Sequence, residues 1–367
     1  MKVPFLDLKR QYEMLKPELD QVVAEIMTEQ WFIGGPRVAA FESAFAEAHA
    51  VSQGVGVGNA TDGLFILLKA LDIGPGDEVI VPAHGWLSAA EMVVLAGATP
   101  VFADVDPHSF CIDPTRVVEK IGPKTKAIIP IHLYGQMANM AALNELASEH
   151  KLYLIEDCAQ AHFASQAGRA AGSQGIAGVF SYYPSKLLGA FGDGGCITTH
   201  DEALAENCRA LANHGGRAKN DHFVPGLNSR LDSLQAAVLH TKLQHVYDWI
   251  TGRNHVAGFY SSALAGIEEV VTPRICEGNS HNFHLYVIRA QKRDELKAYL
   301  KGCGIETEVH YPLATPFTPA FSKDFSESEF PVSVQLQGEV LSLPIFATIT
   351  HPEVEHVASC IQKFYGA

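Results

Sequence analysis

The sequence predicts an α/β fold: a large domain built on a mostly parallel, mixed sheet between helices, followed by a smaller α+β unit. Three observations carry this. Short Val- and Ile-rich runs recur between residues 55 and 199, and the segments between them keep helical apolar spacing; that alternation marks a sheet covered on both faces. At 367 residues the chain exceeds the roughly 250–300 that one hydrophobic core organises. Past residue 250 the regular alternation stops, so the expected division is 1–250 and 251–367.

Val55-Gly56-Val57 is the first strand. Asn59 and Thr61 can each cap the helix that follows, where Leu64, Leu67, Leu68 and Leu71 share a face. Gly74-Pro75-Gly76-Asp77 is a turn, Glu78 to Pro82 a strand, Ser88 to Leu95 a helix and Pro100 to Val105 a strand. Asp113-Pro114 reads as a cap with proline at the first helical position. A buried strand is expected at Ala127 to Leu133, a helix from Asn139 to His150 and a strand at Tyr153 to Glu156. Ala177 to Phe180 and Cys196 to Thr199 are further strands, and a helix starts near Asp201. One long amphipathic helix is expected from Asp232 to Trp249. Beyond Thr251 the pattern gives a helix, a strand at Asn282 to Arg289, a helix at Arg293 to Leu300, a strand at Thr307 to Tyr311 and a solvated loop at Ser322 to Glu329.

Composition removes several classes of function. With 47% apolar and 19% charged residues the chain is an ordinary globular protein, and its net charge of −14 disfavours nucleic acid, which is bound by clustered Lys and Arg. No apolar run approaches the roughly 18–20 residues that span a bilayer, and the opening MKVPFLDLKRQYEMLK has no apolar targeting core; the expectation is a cytoplasmic protein with no membrane partner. Seven cysteines without a C-x-x-C pair, and seventeen histidines without H-E-x-x-H spacing, argue for reduced thiols and against a metal centre.

In such sheets ligands bind beyond the carboxyl ends of the strands, so those positions are where chemistry should gather. Asn59-Ala60-Thr61-Asp62-Gly63 opens a helix, whose unpaired N–H groups and a hydroxyl can cradle a phosphate, although a plain capped helix has the same spelling. Trp86 follows the second strand and could cover a flat ring or pack in the core. Asp157 follows a buried strand and needs a partner, for which a protonated pyridine nitrogen would serve; Gln160 could donate to a ring hydroxyl. Lys186, in S-Y-Y-P-S-K-L-L-G-A-F-G-D-G-G, lies between an apolar strand and a glycine cluster, which fits either a surface bend or a nucleophilic amine in a partly dry pocket. Asp157, then Ser181, then Lys186 is the order expected of a pyridoxal phosphate site, where an amine holds the aldehyde and an acid keeps the ring an electron sink. A dinucleotide loop is excluded, because these glycines lie far from the first strand and lack G-x-G-x-x-G spacing.

The segments G-N-A-T-D-G-L, E-D-C-A-Q-A, S-Y-Y-P-S-K-L-L-G-A-F-G-D-G-G, G-L-N-S-R-L-D-S-L-Q-A-A and V-H-Y-P resemble the DegT/DnrJ/StrS sugar aminotransferases over nearly the whole chain. That resemblance implies the aspartate-aminotransferase-like fold, type I of the pyridoxal-phosphate-dependent transferases. It implies that Lys186 carries the Schiff base, Asp157 pairs with the pyridine nitrogen and Gln160 contacts the ring hydroxyl. Thr61, Asp62 (through its N–H) and Ser181 would hold the phosphate, Trp86 would stack on the ring, and Asn228 would reach the phosphate from the other subunit of a homodimer. The family often has Asn-Thr in place of His84-Gly85, Asn in place of Leu187 and Gly in place of Phe163; His84 and Phe163 are expected to reshape the substrate side.

The implied reaction takes the amine of L-glutamate onto the cofactor, as pyridoxamine phosphate, and delivers it to a nucleotide-linked keto sugar, UDP or dTDP. Tyr183, Arg217, Lys219, Arg230, His310 and Tyr311 are the candidate substrate contacts, and L-A-N-H-G-G-R, the N-S-R-L-D run and Tyr183 look most like members acting at C3. The alternatives are transfer at C4, and a non-enzymatic regulator on the same scaffold, which would be expected to have lost Lys186 or Asp157.

Overall fold

Seven strands form the central sheet of this computed structural model, which describes residues 1–218, 220–321 and 325–366. They are β1 (Gln53–Val57), β2 (Glu78–Pro82), β3 (Thr99–Ala103), β4 (Thr125–Ile128), β5 (Tyr153–Asp157), β6 (Ala177–Ser181) and β7 (Gly195–Thr199). In space the order is β1-β7-β6-β5-β4-β2-β3. The pairs from β3 across to β6 are parallel, while β7 runs antiparallel to both β6 and β1. Nearly every residue of β5, β6 and β7 is buried, as expected where helices cover both faces. The helix Ala60–Ala70 packs on β6 and β7 and carries Asn59 as its cap, the Asn59 side chain accepting from Asp62 N–H at 2.8 Å.

Two large buried apolar clusters, with a small third of Val22, Ile26 and Ala237, hold the described residues together. The larger gathers the central sheet and its helices; the smaller joins Tyr260, Tyr286, Leu296 and Val357 to Val3. The N-terminus is tied to this second cluster: Val3 N–H donates to Gly304 O at 2.9 Å, and Arg10 holds Glu353 through two bonds of 2.9 and 3.0 Å. In the second unit the sheet is three antiparallel strands, Val270–Val271, Tyr286–Ala290 and Val340–Leu343. No helix among the described residues is long and apolar enough to cross a membrane.

Several elements differ from expectation. The strand expected at 127–133 ends at Ile128, because Pro130 has no N–H to give and the chain turns into a short helical turn at Leu133–Gly135. The long helix 232–249 is two helices, Ser233–Leu243 and Val246–Ala263, broken at Gln244 and His245, so Thr251 lies inside the second. No strand forms at 307–311; only Glu308 bridges, to Ser342. Of the expected loop 322–329, residues 322–324 lie outside the described residues and Glu327–Glu329 is a helical turn. Helices Leu8–Glu29 and Pro36–Ala48 were not expected; the first carries Pro17 within it.

Candidate active site

Lys186 lies just past β6, in a loop that bends back to β7. Its amine makes no hydrogen bond with a described residue, and burial pulls it down to about 8, against the Asp157 charge that favours the ammonium. None of Gly189, Gly192, Gly194 and Gly195 has a positive φ; close approach is what they serve. A Cβ on Gly189 would meet Pro184 O at 2.3 Å, and one on Gly195 would meet Ala60 N at 2.8 Å, so β7 lies hard against the start of the helix Ala60–Ala70. The loop is held from outside by the helix Ser233–Leu243. Gln235 Oε1 accepts from Phe191 N–H at 2.8 Å, and the buried Lys242 ammonium donates to Gly189 O at 2.6 Å. Sequence reasoning missed both residues. Their spacing of seven, two turns on one helix face, was the available signal.

Asp157 ends β5. Its Oδ1 accepts from Ala159 N–H at 3.0 Å, no described residue donates to Oδ2, and burial pushes its carboxyl up against that N–H and the Lys186 charge. Its neighbour Glu156 is a brace. Glu156 accepts from the N–H groups of Gly172, Gln174 and Gly175 at 2.7–3.0 Å and from His132 Nε2 at 2.8 Å. His132 Nδ1 accepts from Ala138 N–H, so the ring hydrogen is on Nε2. Cys158 stands close enough to complete an ion-sized cluster with these two. Its thiol, pushed well up by burial, donates instead to Glu156 O at 3.7 Å. Both ring nitrogens and the carboxylate are thus engaged without a metal. Glu156→Gln would turn an amide against these donors, and urea unfolding should record a loss of about 3 kcal/mol.

The remaining cofactor candidates surround this pair. At the start of the helix Ala60–Ala70, Asp62 N–H is taken by Asn59, and the N–H groups without a partner among the described residues are those of Ala60 and Thr61. Ser181 ends β6, where its hydroxyl accepts from Tyr183 N–H at 3.3 Å. Trp86 is no core residue: it is 54% exposed, its ring 5.7 Å from that of Tyr311. Gln160 is buried, accepting from Tyr134 N–H at 2.7 Å and donating to Tyr311 Oη at 3.0 Å. Free amides at a helix start, an unbonded amine and a carboxylate with one open oxygen are a donor set that fits pyridoxal phosphate.

The predicted substrate contacts divide. His310 and Tyr311 lie with Trp86 and Gln160; His310 Nδ1 meets Ser342 Oγ at 2.8 Å, and burial lowers the imidazole to about 4. Tyr183 is exposed, one turn before Lys186, whose N–H donates to Tyr183 O. Arg217 and Arg230 line a different cavity, of about 360 Å³, with Glu42, Arg209 and Asn213 and without Lys186 or Asp157. Asn228 is exposed beside it, and Lys219 lies outside the described residues. Phe163, expected on the substrate side, packs instead on His49 and Tyr247 at 4.5 and 5.4 Å. Its φ of 60° is a left-handed value that favours glycine.

The sequence pattern of the DegT/DnrJ/EryC1/StrS aminotransferase family matches residues 13–362. The chain is 45% identical to a pleiotropic regulatory protein of Geobacillus stearothermophilus, over 100% of this chain and 99% of that protein. It is 41% identical to the dTDP-3-amino-3,4,6-trideoxy-alpha-D-glucose transaminase of Streptomyces venezuelae, over 99% of this chain and 96% of that one. Its fold superposes with a TM-score of 0.98 on the crystal structure of S. venezuelae DesV in complex with a ketimine intermediate, at 40% identity and covering 100% and 99% of the two chains. The chain therefore belongs to the DegT/DnrJ/EryC1/StrS aminotransferase family and is a pyridoxal-phosphate-dependent transaminase.

Proposed function

We propose that this transaminase moves the amino group of L-glutamate to a nucleotide-linked keto sugar, at C3 of a dTDP- or UDP-3-keto sugar, in amino-sugar biosynthesis. One observation carries the reading: a buried amine with no hydrogen-bond partner among the described residues, Lys186, stands within electrostatic reach of a buried carboxylate with an open oxygen, Asp157. Bound pyridoxal phosphate would supply an aldehyde for the amine and a protonated ring to draw electrons from the carbon bearing nitrogen. Lys186 would hold that aldehyde and, once released, carry a proton between the substrate carbon and the cofactor's C4′. Asp157 would keep the pyridine nitrogen protonated, Gln160 would serve the ring hydroxyl, and Trp86 would cover the ring. For the phosphate we assign Thr61 and Ser181, with Ala60 N–H in place of the Asp62 N–H that Asn59 occupies. Residues 1–250 are assigned to cofactor binding and 251–367 to a C-terminal domain.

The placement of Asn228, Arg217 and Arg230 away from Lys186 supports a homodimer in which each copy completes the other's site. Trp31, Phe32 and Ile33, whose last residue bridges Asp232, are exposed apolar side chains, as are Phe223 and Val224, near Asn228 in sequence. The name of the Geobacillus relative prompts a regulatory reading; against it, both Lys186 and Asp157 are present. Loading the protein with pyridoxamine phosphate and screening keto sugars for return of the aldehyde-form absorbance tests the activity. Product NMR decides the position, and nitrogen at C4 would overturn the assignment to C3.

Only the neutral amine attacks an aldehyde. With Lys186 near 8 in the cofactor-free protein, its neutral fraction grows about tenfold per pH unit below that value and levels above it. Stopped-flow capture of pyridoxal phosphate should follow that curve, whereas an ordinary lysine would go on accelerating toward pH 10.

A further inference from the structure

Beneath Trp86 a chain of hydrogen bonds joins His84, Gln160, His310 and Tyr311 through Tyr134, which no motif singled out. Tyr134, 2% exposed, donates its phenol hydrogen to His310 O, and a carbonyl can only accept. The 2.9 Å contact between His84 Nε2 and Tyr134 Oη is then a donation from the imidazole. His84 therefore carries its hydrogen on Nε2, with Nδ1 buried and without a partner among the described residues. Tyr134 N–H donates to Gln160 Oε1, which turns the Gln160 amide nitrogen toward Tyr311 Oη. Within this network the hydrogens left without an acceptor among the described residues are that of the Tyr311 hydroxyl and the second one on Gln160. Burial and the Asp157 charge hold the Tyr311 phenol well above its ordinary range, so it remains a donor. Tyr134 also sits at φ 60°, a backbone state that an aromatic residue adopts rarely.

We propose that His84 and Tyr134 are positioning residues for amino transfer: acting through Gln160 and the His310–Tyr311 segment, they present the Tyr311 hydroxyl as a donor to the ring oxygen of the bound cofactor. This rests on the reading of Lys186 given above, and it makes His84, where the family often has Asn, the head of the chain.

The test is the pH midpoint of the visible absorbance of the holoenzyme. A donor to the ring oxygen stabilises its charge and eases loss of the proton shared with the lysine nitrogen, so removing the donor raises the midpoint. Tyr134→Phe and Tyr311→Phe should each raise it by about one unit. The double variant should shift no further than Tyr311→Phe, since both act through one hydroxyl. His84→Leu should raise the midpoint and His84→Gln, which keeps a donor, should restore it. In Tyr134→Phe, kcat should fall about 10–100-fold with the KM for L-glutamate within about threefold. The titratable groups facing Tyr311 are Asp157, Tyr134, His84 and His310; both imidazoles are held near 4 by burial and keep one charge across the scan. Additive shifts, or unmoved midpoints with only lowered melting temperatures, overturn the proposal. A wild-type holoenzyme without the visible band refutes the cofactor reading itself, and this inference with it.

Discussion

Lys186→Ala is expected to lose at least about 10⁴-fold in kcat, because one side chain serves both as the cofactor's anchor and as the proton carrier, and general acid–base catalysis alone is worth about 10²–10⁴. The variant should fold. Lys186 has no hydrogen-bond partner among the described residues to strand, and its removal relieves an amine that burial already pulls toward neutrality. Melting temperature should therefore stay level or rise, which separates lost chemistry from lost structure. Borohydride treatment of the wild-type holoenzyme should fix the cofactor's mass on the peptide that contains Lys186, and treatment of the variant should fix none there. Substantial turnover in Lys186→Ala, or a mass gain on another lysine, would remove this residue from the mechanism.

The strand ends were legible in the sequence because a strand between helices announces its own carboxyl end; Asp157, Ser181 and Lys186 all lie within five residues of one. Less could be read where function depends on contacts distant in sequence. Gln235 and Lys242 reach a loop 44 and 53 residues away, and Tyr134 meets His310 across 176. The spacing of seven puts Gln235 and Lys242 on one helix face, but nothing local says which distant loop that face will meet. Pro130 announces the break after Ile128, yet the apolar run Ile128-Ile129-Pro130-Ile131 continues past it because those side chains stay buried after the strand has ended. Pairing resumes past the proline only as the isolated bridge from Ile131 to Asp157, so the apolar run reports the buried path of the chain and not the bounds of the strand. Asn228, Arg217 and Arg230 pose a different problem: within one chain Arg217 and Arg230 line a cavity without Lys186 or Asp157, and Asn228 is exposed beside it.

Asp157→Asn should cost about 10³-fold in kcat while the protein stays folded. The amide keeps the shape of the carboxylate, and its oxygen can still accept from Ala159 N–H, so the local bond of 3.0 Å survives. What disappears is the charge. An ion pair at an effective dielectric near 20 is worth about 4 kcal/mol, or about 10³ in rate, and that stabilisation of the protonated ring is what the substitution removes. The sign with pH follows from the same side chain. Burial raises the carboxyl in the cofactor-free protein, and a bound cation favours its ionised form, so binding lowers the carboxyl's pKa and releases a proton. Affinity for pyridoxamine phosphate, whose own amine leaves Lys186 uninvolved, should therefore weaken as pH falls through the raised carboxyl value in wild type. The Asn variant should lack that component of the dependence at the same residue. Titration calorimetry in two buffers of different ionisation enthalpy reads the proton directly: a release present in wild type and missing in Asp157→Asn ties the carboxylate to the ring nitrogen, and identical release in both would break that link while leaving Lys186 in place.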